Sequence, residues 1–296
     1  MYHPMPVTEQ ISAYWRLTKP RIWGLLVFTG IVAMLVAYRE SNVAVSGMQL
    51  LVGFVALTLG SAAANTLTNY HDRDIDGVMH RTRSRPLPAG TIDPPWKALV
   101  FGLVMAVLSV AIPLWYFNPL SAVFMTIGLL DNVVVYSLLL KRRSWLNIIL
   151  GGISGGMPVL VGYAAIANTV TTLALYMAAL VIVWIPTHIW SLAIVSKEDY
   201  TAAKVPMVPV VFGDAVGTVC IAAASALLAV FSIAIYIFTT VSVYYAATAT
   251  VLGAVVLVYS AKLAIDRSKS TAWVLFKITS PYLAMIFTVL GATLWL

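Results

Sequence analysis

The sequence predicts an all-α integral membrane protein with nine transmembrane helices. Three observations predict this class: the composition, the number of long apolar runs, and the one-sided distribution of basic residues. Of the 296 residues, 61% are hydrophobic and only 10% are charged, and the mean hydropathy is +0.92. A soluble domain would carry about a quarter charged residues. Lipid is therefore the expected solvent for much of the surface.

Nine runs are long and apolar enough to span a bilayer, which takes about 20 mostly apolar residues per helix. Two long polar loops interrupt them, at 71–95 and 196–214. We expect the whole chain, 1–296, to form a single transmembrane domain. The predicted helices are 22–38, 48–70, 96–116, 119–140, 145–166, 171–195, 215–238, 242–264 and 272–295.

The basic residues predict the orientation of these helices. If the N-terminus is cytoplasmic, alternation of nine helices places 17 of the 18 lysines and arginines on the cytoplasmic side, and only Arg39 outside. This is the asymmetry of the positive-inside rule. It also accounts for the formal charge of +7, so the charge is no reason to infer a nucleic-acid partner.

The N-terminal segment and the single cysteine add little. Residues 1–19 lack a short apolar core followed by a small-residue cleavage site, so no cleaved signal peptide is expected. The stretch 11–17 is amphipathic and could lie on the membrane surface. Cys220 has no partner within the chain for a disulfide, and a structural zinc site is not expected.

Amides and carboxylates share one face at the end of the second predicted helix. At 100° per residue, Asn65, Asn69, Asp72 and Asp76 fall within about 60° of one another, whereas Asp74 points about 180° away. Mg²⁺ takes carboxylate oxygens and is commonly shared with substrate phosphates. Arginine forks, which match phosphate oxygens, follow at positions 81, 83 and 85. A solvated helix end whose acids pair with these arginines is the alternative, and it does not explain the shared face.

The stretch D-R-D-I-D-x-x-M-x-R-T-x-x-R-P-L at 72–87 resembles the first aspartate-rich motif of the UbiA superfamily of intramembrane prenyltransferases. It is most similar to the protohaem IX farnesyltransferase (haem O synthase) branch. The superfamily pattern is Asn-x-x-x-Asp-x-x-x-Asp, which Asp72 and Asp76 match. Thr68 stands at the asparagine position. Asn65 and Asn69 flank it on the same face, and one of them is expected to substitute.

A second segment resembles the same branch. It reads H-x-W at 188–190, then K-x-D-Y-x-x-A-x-V-P-M-x-P-V-V-x-G at 197–213. Most other superfamily members carry Asp-x-x-x-Asp here, whereas Asp199 is followed four residues later by Ala203. The resemblance implies that Asp199 is a metal or diphosphate ligand, and that Lys197 and Tyr200 lie in the substrate site.

His188 lies on nearly the same helix face as Asp199, about 16 Å deeper. A histidine within a membrane helix is a functional candidate by default, here as a contact to an acceptor such as a haem iron or propionate. A packing histidine bonded to a neighbouring helix is equally compatible with the residues alone, and the resemblance favours the functional role.

Further matches to the family imply more substrate-binding residues. Thr-Lys-Pro-Arg at 18–21 and Y-S-x-x-L-K-R-x-S-x-x-N at 136–147 resemble its patterns. They imply roles in substrate binding for Arg21, Tyr136 and Lys141, alongside Arg81 and Arg85. Asp131, in the middle of the fourth helix, is not assigned by the pattern. An unpaired charge there costs several kcal/mol, so we expect Asp131 to face a cavity or to be protonated.

The resemblance implies nine helices around a central cavity that opens to the cytoplasmic side of the cell (plasma) membrane. It implies Mg²⁺ held by Asp72, Asp76, Asp199 and Asn69, farnesyl diphosphate as donor, and haem b as acceptor. A haem A synthase or a terminal oxidase would be a partner. Two alternatives remain open: a UbiA-type enzyme acting on a quinone precursor or an archaeal lipid, and a non-enzymatic transporter.

Overall fold

The nine predicted membrane helices are present. The computed structural model describes residues 6–293, apart from the side chain of Arg21. In this range nine helices are long and apolar enough to cross a membrane, as predicted. The last two residues of the ninth predicted run, 294 and 295, lie outside the described range. The nine spans are Ile22–Ser41, Gly47–His71, Trp96–Phe117, Pro119–Leu140, Asn147–Ala167, Thr172–Val195, Gly213–Phe238, Val243–Asp266 and Lys269–Thr293.

A short helix, α1 (Val7–Leu17), precedes the first membrane helix, α2 (Pro20–Ser41). Lys19 separates them in the left-handed conformation, with φ of 55°. Pro20 then occupies the first turn of α2, where its missing N–H is no loss. The left-handed residue Lys19 changes the direction of the chain between α1 and α2.

The second span is α3 (Gly47–His71), and the short helix α4 (Arg73–Val78) continues it almost without a break. Ser46 and Gln49 form a capping box at the start of α3. This reciprocal pair satisfies two backbone N–H groups that a helix start leaves free. The first aspartate motif therefore lies at the far end of a firmly anchored helix.

The third and fourth spans each change helix type along their length. Helix α5 (Trp96–Ile112) continues as a π-helical turn, π1 (Pro113–Phe117), and α6 (Pro119–Leu130) continues as π2 (Asp131–Leu140). The sequence predicts one regular helix over 119–140. In π2 the N–H of Lys141 bonds to the carbonyl of Tyr136, five residues back, at 2.7 Å. The wider turn changes which side chains of this span face inward.

The fifth span is broken, which hydropathy alone did not predict. Helix α7 (Asn147–Leu150) ends at Gly151, and α8 (Ile153–Ala167) begins after Gly152. A Cβ on Gly151 would lie 2.6 Å from the Cβ of Tyr136, so only glycine permits π2 to approach this closely. The break and π2 thus form one packed unit in the wall of the bundle.

The remaining spans are α9 (Thr172–Val195), α12 (Gly213–Phe238), α13 (Val243–Asp266) and α14 (Lys269–Thr293). Two short helices, α10 (Lys197–Ala202) and α11 (Val208–Val211), lie in the loop after α9. Helix α8 belongs to the most buried span and packs against α2, α6 and α9. Side chains such as Val107, Val219 and Val258 are more than 60% exposed on the outside, as expected for a surface in lipid.

Candidate active site

Two buried carboxylates lie one helical turn apart where α3 meets α4. The amide N–H of Asp76 donates to the carbonyl of Asp72 at 2.8 Å, and each residue is only 2% exposed. Asp74, between them, has a side chain that is 62% exposed. The helical stripe predicted from the sequence is therefore present, with Asp74 on the other side.

Each of these two carboxylates pairs with a cation. Lys141, at the end of π2, binds Oδ2 of Asp72, and Nη1 of Arg85 lies 2.7 Å from Oδ2 of Asp76. The other oxygen of Asp72, Oδ1, is buried and has no hydrogen-bond partner; Nη2 of Arg142 lies 3.7 Å away. The site thus contains one unsatisfied carboxylate oxygen among several charges.

Arg142 connects the end of π2 to the end of α3 through hydrogen bonds. Its guanidinium donates to both carboxylate oxygens of Asp74 at 2.7 Å and to the carbonyl of His71 at 2.9 Å. The hydrogen bond from Arg142 lowers the pKa of Asp74 to about 2. Asp74 is therefore ionised at neutral pH, and its partner is this arginine from another span.

The two candidate asparagines have different surroundings. Asn69 is 3% exposed. Its side-chain amide donates to the carbonyl of Leu17 at 2.7 Å, and its oxygen accepts from Arg85 at 3.3 Å. Asn65 donates to the carbonyl of Ser61 at 2.9 Å and lines the cavity below. Asn69 is thus the asparagine that lies beside the carboxylates.

Lys19 is a site residue that the sequence reasoning missed. It is half-buried. Its pKa is lowered well below the ordinary value by burial and by the positive charges of Arg85 and Lys141, against the opposing effect of Asp76 and Asp72. The ammonium group is therefore close enough to Asp72, Asp76, Arg85 and Lys141 to interact with their charges, and we call these five residues the charged cluster. Lys19 lies in the Thr-Lys-Pro-Arg match, from which a role in substrate binding was predicted for Arg21 only. The side chain of Arg21 lies outside the described part of the chain.

The second motif meets the loop that follows the two aspartates. Asp199 accepts hydrogen bonds from the backbone N–H groups of His80 and Arg81, at 2.8 and 3.0 Å. Lys197 pairs with Asp214 at 2.8 Å, and Tyr200 is buried. Within residues 6–293 no three acidic, imidazole or thiol groups come close enough to hold one metal ion. Asp199 here fixes the loop that follows α4.

A cavity of about 630 Å³ lies between the spans. Its wall is mostly apolar, and it brings together Asn65, Tyr136 and His188, three residues predicted to bind substrate. The ring of Tyr136 also lies 5.6 Å from Nζ of Lys141, so Tyr136 borders both the cavity and the charged cluster. A volume of this size is typical of sites for organic ligands.

His188 is held rigidly in the wall of this cavity. Its imidazole stacks between the rings of Trp184 and Phe276, with centroids 4.4 and 4.3 Å away. Nδ1 lies 2.8 Å from the hydroxyl oxygen of Thr279, which itself donates to the carbonyl of Phe276. Since the hydroxyl donates elsewhere, it accepts from Nδ1–H, and in a neutral imidazole Nε2 is then the unprotonated nitrogen. A neutral imidazole with a free Nε2 is a common metal ligand.

Comparisons with known proteins decide between the classes that this geometry allows. The model of the UbiA prenyltransferase family matches residues 26–288, most of the chain. The chain belongs to the UbiA prenyltransferase family. Two relatives of this chain are named protoheme IX farnesyltransferase. The protein of Thermoplasma volcanium is 42% identical, and the match covers 95% of this chain and 97% of that protein. The protein of Desulforudis audaxviator is 44% identical, and the match covers 97% of this chain and 90% of that protein.

Solved structures of UbiA proteins share the fold. A UbiA homolog from Archaeoglobus fulgidus bound to GPP and Mg²⁺ has a TM-score of 0.67 at 18% identity, covering 94% of this chain and 99% of that one. A structure from work on a digeranylgeranylglyceryl phosphate synthase in membranes has a TM-score of 0.76 at 18% identity, covering 97% and 99%. The chain is thus a multi-pass membrane protein with the UbiA prenyltransferase fold.

Proposed function

We propose that this prenyltransferase moves the farnesyl group of farnesyl diphosphate to a vinyl group of protohaem IX (haem b), which gives haem O. One observation carries the proposal: a charged cluster with paired carboxylates borders an apolar cavity whose wall holds a histidine with a free Nε2. The relatives named protoheme IX farnesyltransferase, at 42% and 44% identity, support haem b as acceptor.

The carboxylates fit a magnesium ion. Oδ1 of Asp72 is buried without a hydrogen-bond partner, and Asp76 lies one turn away. Carboxylate oxygens are the ligands that Mg²⁺ prefers in sites shared with phosphates. Asp72 and Asp76, with Asn69 beside them, would hold the ion. When bound, it would neutralise charge on the departing diphosphate.

Three cations of the cluster bind the diphosphate: Lys141, Arg85 and Lys19. Lys141 and Arg85 pair with the carboxylates in the structure. A metal ion bound to Asp72 and Asp76 would release Lys141 and Arg85, which could then bind the diphosphate oxygens. The carboxylates would thus be paired with cations both with and without substrate. Charge-assisted hydrogen bonds of this kind are roughly twice as strong as neutral ones. Arg21 would add to the group from the start of α2.

The second motif shapes the mouth of the site. Asp199 holds the backbone of His80 and Arg81, and we assign it the role of fixing this loop over the diphosphate. Arg81 then stands at the entrance with an exposed side chain. Asp199 would have to release both amides before it could join Asp72 and Asp76 as a third metal ligand. Lys197 would likewise have to leave Asp214 to reach a phosphate. Tyr200 is buried within the second motif.

His188 positions the acceptor. Its Nε2 suits the iron of haem b, since histidine is the usual proximal ligand of haem, and its rigid stacking fixes the direction of approach. Asn65 and Tyr136 line the same cavity nearer the carboxylates. Loss of diphosphate leaves an allylic cation at C1 of the farnesyl chain, and the apolar wall keeps most water away from it.

The site opens to the cytoplasmic side of the plasma membrane in this proposal. The basic residues support this orientation, because 17 of 18 lie on the side of the two aspartate motifs. Farnesyl diphosphate is a charged, cytoplasmic type of substrate, whereas haem O is apolar enough to stay in the bilayer. A haem A synthase or a terminal oxidase in the same membrane would take up the product.

An acceptor panel tests the proposal. Purified protein receives Mg²⁺ and farnesyl diphosphate together with haem b, a hydroxybenzoate ring as quinone precursor, or an archaeal glyceryl phosphate lipid, and diphosphate release is measured. We expect haem b alone to accelerate release, and removal of Mg²⁺ by a chelator to stop it. Acceleration by one of the other acceptors, with none by haem b, would assign the enzyme to that acceptor instead.

A further inference from the structure

A polar patch interrupts the apolar wall of the cavity on the side of π2 and α8. Asn132 and Ser154 both line the cavity, and Nδ2 of Asn132 lies 3.4 Å from Oγ of Ser154. Behind them lies Asp131, which is only 7% exposed and does not line the cavity itself. The patch therefore joins a surface that ligands can reach to a buried carboxylate.

The break in the fifth span creates this patch. Because α8 begins at Ile153, the N–H of Ser154 has no carbonyl of its own helix to bond. Oδ2 of Asp131 accepts this N–H at 2.7 Å, and the hydroxyl of the same serine donates to the carbonyl of Gly151 at 2.9 Å. Ser154 is thus in contact with the cavity on one side and with Asp131 on the other.

Asp131 differs from the other buried carboxylates of the described chain. The three buried acidic side chains are Asp72, Asp76 and Asp131. The first two pair with Lys141 and Arg85, whereas no ion pair involves Asp131 within residues 6–293. A cap for one backbone N–H needs only a neutral oxygen such as that of Ser or Asn. A carboxylate without a cation inside a membrane helix points to proton chemistry.

The proposed reaction requires one water molecule and one proton acceptor. Haem O differs from a simply prenylated haem by a hydroxyl group, which comes from water. We propose that Asn132 and Ser154 hold this water and that Asp131 takes up its proton through the Ser154 hydroxyl. This inference rests on the proposed function.

The C1–O bond of farnesyl diphosphate breaks, and its electron pair leaves with the diphosphate. The vinyl π pair of haem b forms the new bond to C1, which leaves a cation on the vinyl carbon next to the porphyrin. A lone pair of water bonds to that carbon. For the proton to move, the Ser154 hydroxyl turns from the carbonyl of Gly151 to Asp131. One water proton then passes to Oγ of Ser154 while the Ser154 proton passes to Asp131, and the iron is neither oxidised nor reduced.

The position of the patch suits this role. Asn132 precedes Tyr136 by one turn on π2 and precedes Lys141 by nine residues, so it lies deeper in the cavity than the charged cluster. His188 lines the same cavity, which puts a haem held there within the same space as the patch. The remaining polar side chains of the wall include Ser61, Asn65 and Ser280, and none of them is bonded to Asp131.

Product analysis of Asp131→Asn tests the inference. The amide keeps an oxygen for the Ser154 N–H but no longer accepts a proton. We expect the hydroxylated share of prenylated haem, measured by mass spectrometry, to fall about tenfold or more. It would be replaced by a product lighter by one water, because the cation loses a proton to form an alkene. Diphosphate release should fall much less than hydroxylation.

A second variant and a control sharpen the result. Ser154→Ala keeps the backbone N–H for Asp131 and removes only the hydroxyl, so it should shift the product in the same direction. Glu198→Gln makes the same acid-to-amide change at an exposed residue paired with Lys269 and should leave the product hydroxylated.

Hydroxylated product from Asp131→Asn at the wild-type share, or equal loss of diphosphate release and product, would overturn the inference. A wild-type protein that makes no prenylated haem would instead overturn the proposed function.

Discussion

Lys19 and Arg21 stand two residues apart in one short motif, and the structure describes the surroundings of the lysine side chain. Lys19 has a left-handed backbone, and its ammonium group lies within the field of Asp72, Asp76, Arg85 and Lys141. A sequence pattern names both residues as candidates. It cannot choose between them, because the choice depends on the turn that joins α1 to α2.

Lys19→Met should weaken binding of farnesyl diphosphate. A hydrogen bond to a charged group is worth about 1.5–3 kcal/mol, which corresponds to roughly a 10- to 100-fold rise in KM. The matched control is Lys97→Met, since Lys97 bonds only to the nearby carbonyl of Asp93. Steady-state kinetics with saturating haem b provide the measurement. Equal KM values for Lys19→Met and the wild type would exclude Lys19 from the diphosphate site.

His188→Ala should weaken binding of haem b by about tenfold or more, in the range found when groups that support a metal site are removed. Binding of farnesyl diphosphate should change little, because His188 lines the cavity and takes no part in the ion pairs of Asp72 and Asp76. Titration of haem b, followed by its absorption spectrum, measures the effect. His80→Ala is the control, since the side chain of His80 is exposed. A spectrum and affinity unchanged in His188→Ala would leave His188 a packing residue.

Much of the site was predictable at the level of single residues. Helical periodicity placed Asn69, Asp72 and Asp76 on one face and Asp74 on the other. The partners of these residues were not predictable, because Lys141 and Arg142 arrive from another span after nearly 70 intervening residues. The backbone bonds of Asp199 depend likewise on how two loops meet.

At the scale of helices, hydropathy located all nine spans but did not reveal their internal structure. The fourth span changes from α6 to π2 at Asp131, and the fifth breaks at Gly151. Both irregularities depend on close packing between the two spans, since a Cβ on Gly151 would collide with Tyr136. Average apolarity over 20 residues contains no information about such a contact. Asp131, whose role the sequence left open, lies at this junction.

Gly162→Ala should destabilise the bundle. A Cβ at this position of α8 would lie 2.1 Å from the carbonyl oxygen of Gly30 on α2, and this backbone can yield only if the helices separate. Overpacking of this kind costs about 1–3 kcal/mol or more, so thermal unfolding in detergent should occur at a lower temperature. Gly24→Ala, on α2 with nothing within 4 Å of the added Cβ, should unfold near the wild-type temperature. Equal destabilisation by both variants would contradict this account of α2–α8 packing.

At the scale of the whole molecule, we propose that the charged cluster lies on the cytoplasmic side. Single cysteines introduced into a Cys220→Ser background test this orientation. Arg143→Cys lies next to the cluster, and Ala44→Cys lies between α2 and α3, at the opposite ends of these spans; both native side chains are exposed. An impermeant maleimide should label Ala44→Cys in intact cells and Arg143→Cys only after permeabilisation. The reverse pattern would place the N-terminus and the site outside.

The most direct test of the central claim is the mass of the pigment that the purified protein makes from haem b, farnesyl diphosphate and Mg²⁺. Asp72→Ala and Asp74→Ala form a matched pair, because the two carboxylates are close in sequence but one is buried in the cluster and the other is exposed and bound to Arg142. We expect the wild type and Asp74→Ala to give a haem heavier by a farnesyl and a hydroxyl group, and Asp72→Ala to give none. Unmodified haem from the wild type, or modified haem from Asp72→Ala at the wild-type rate, would contradict the account.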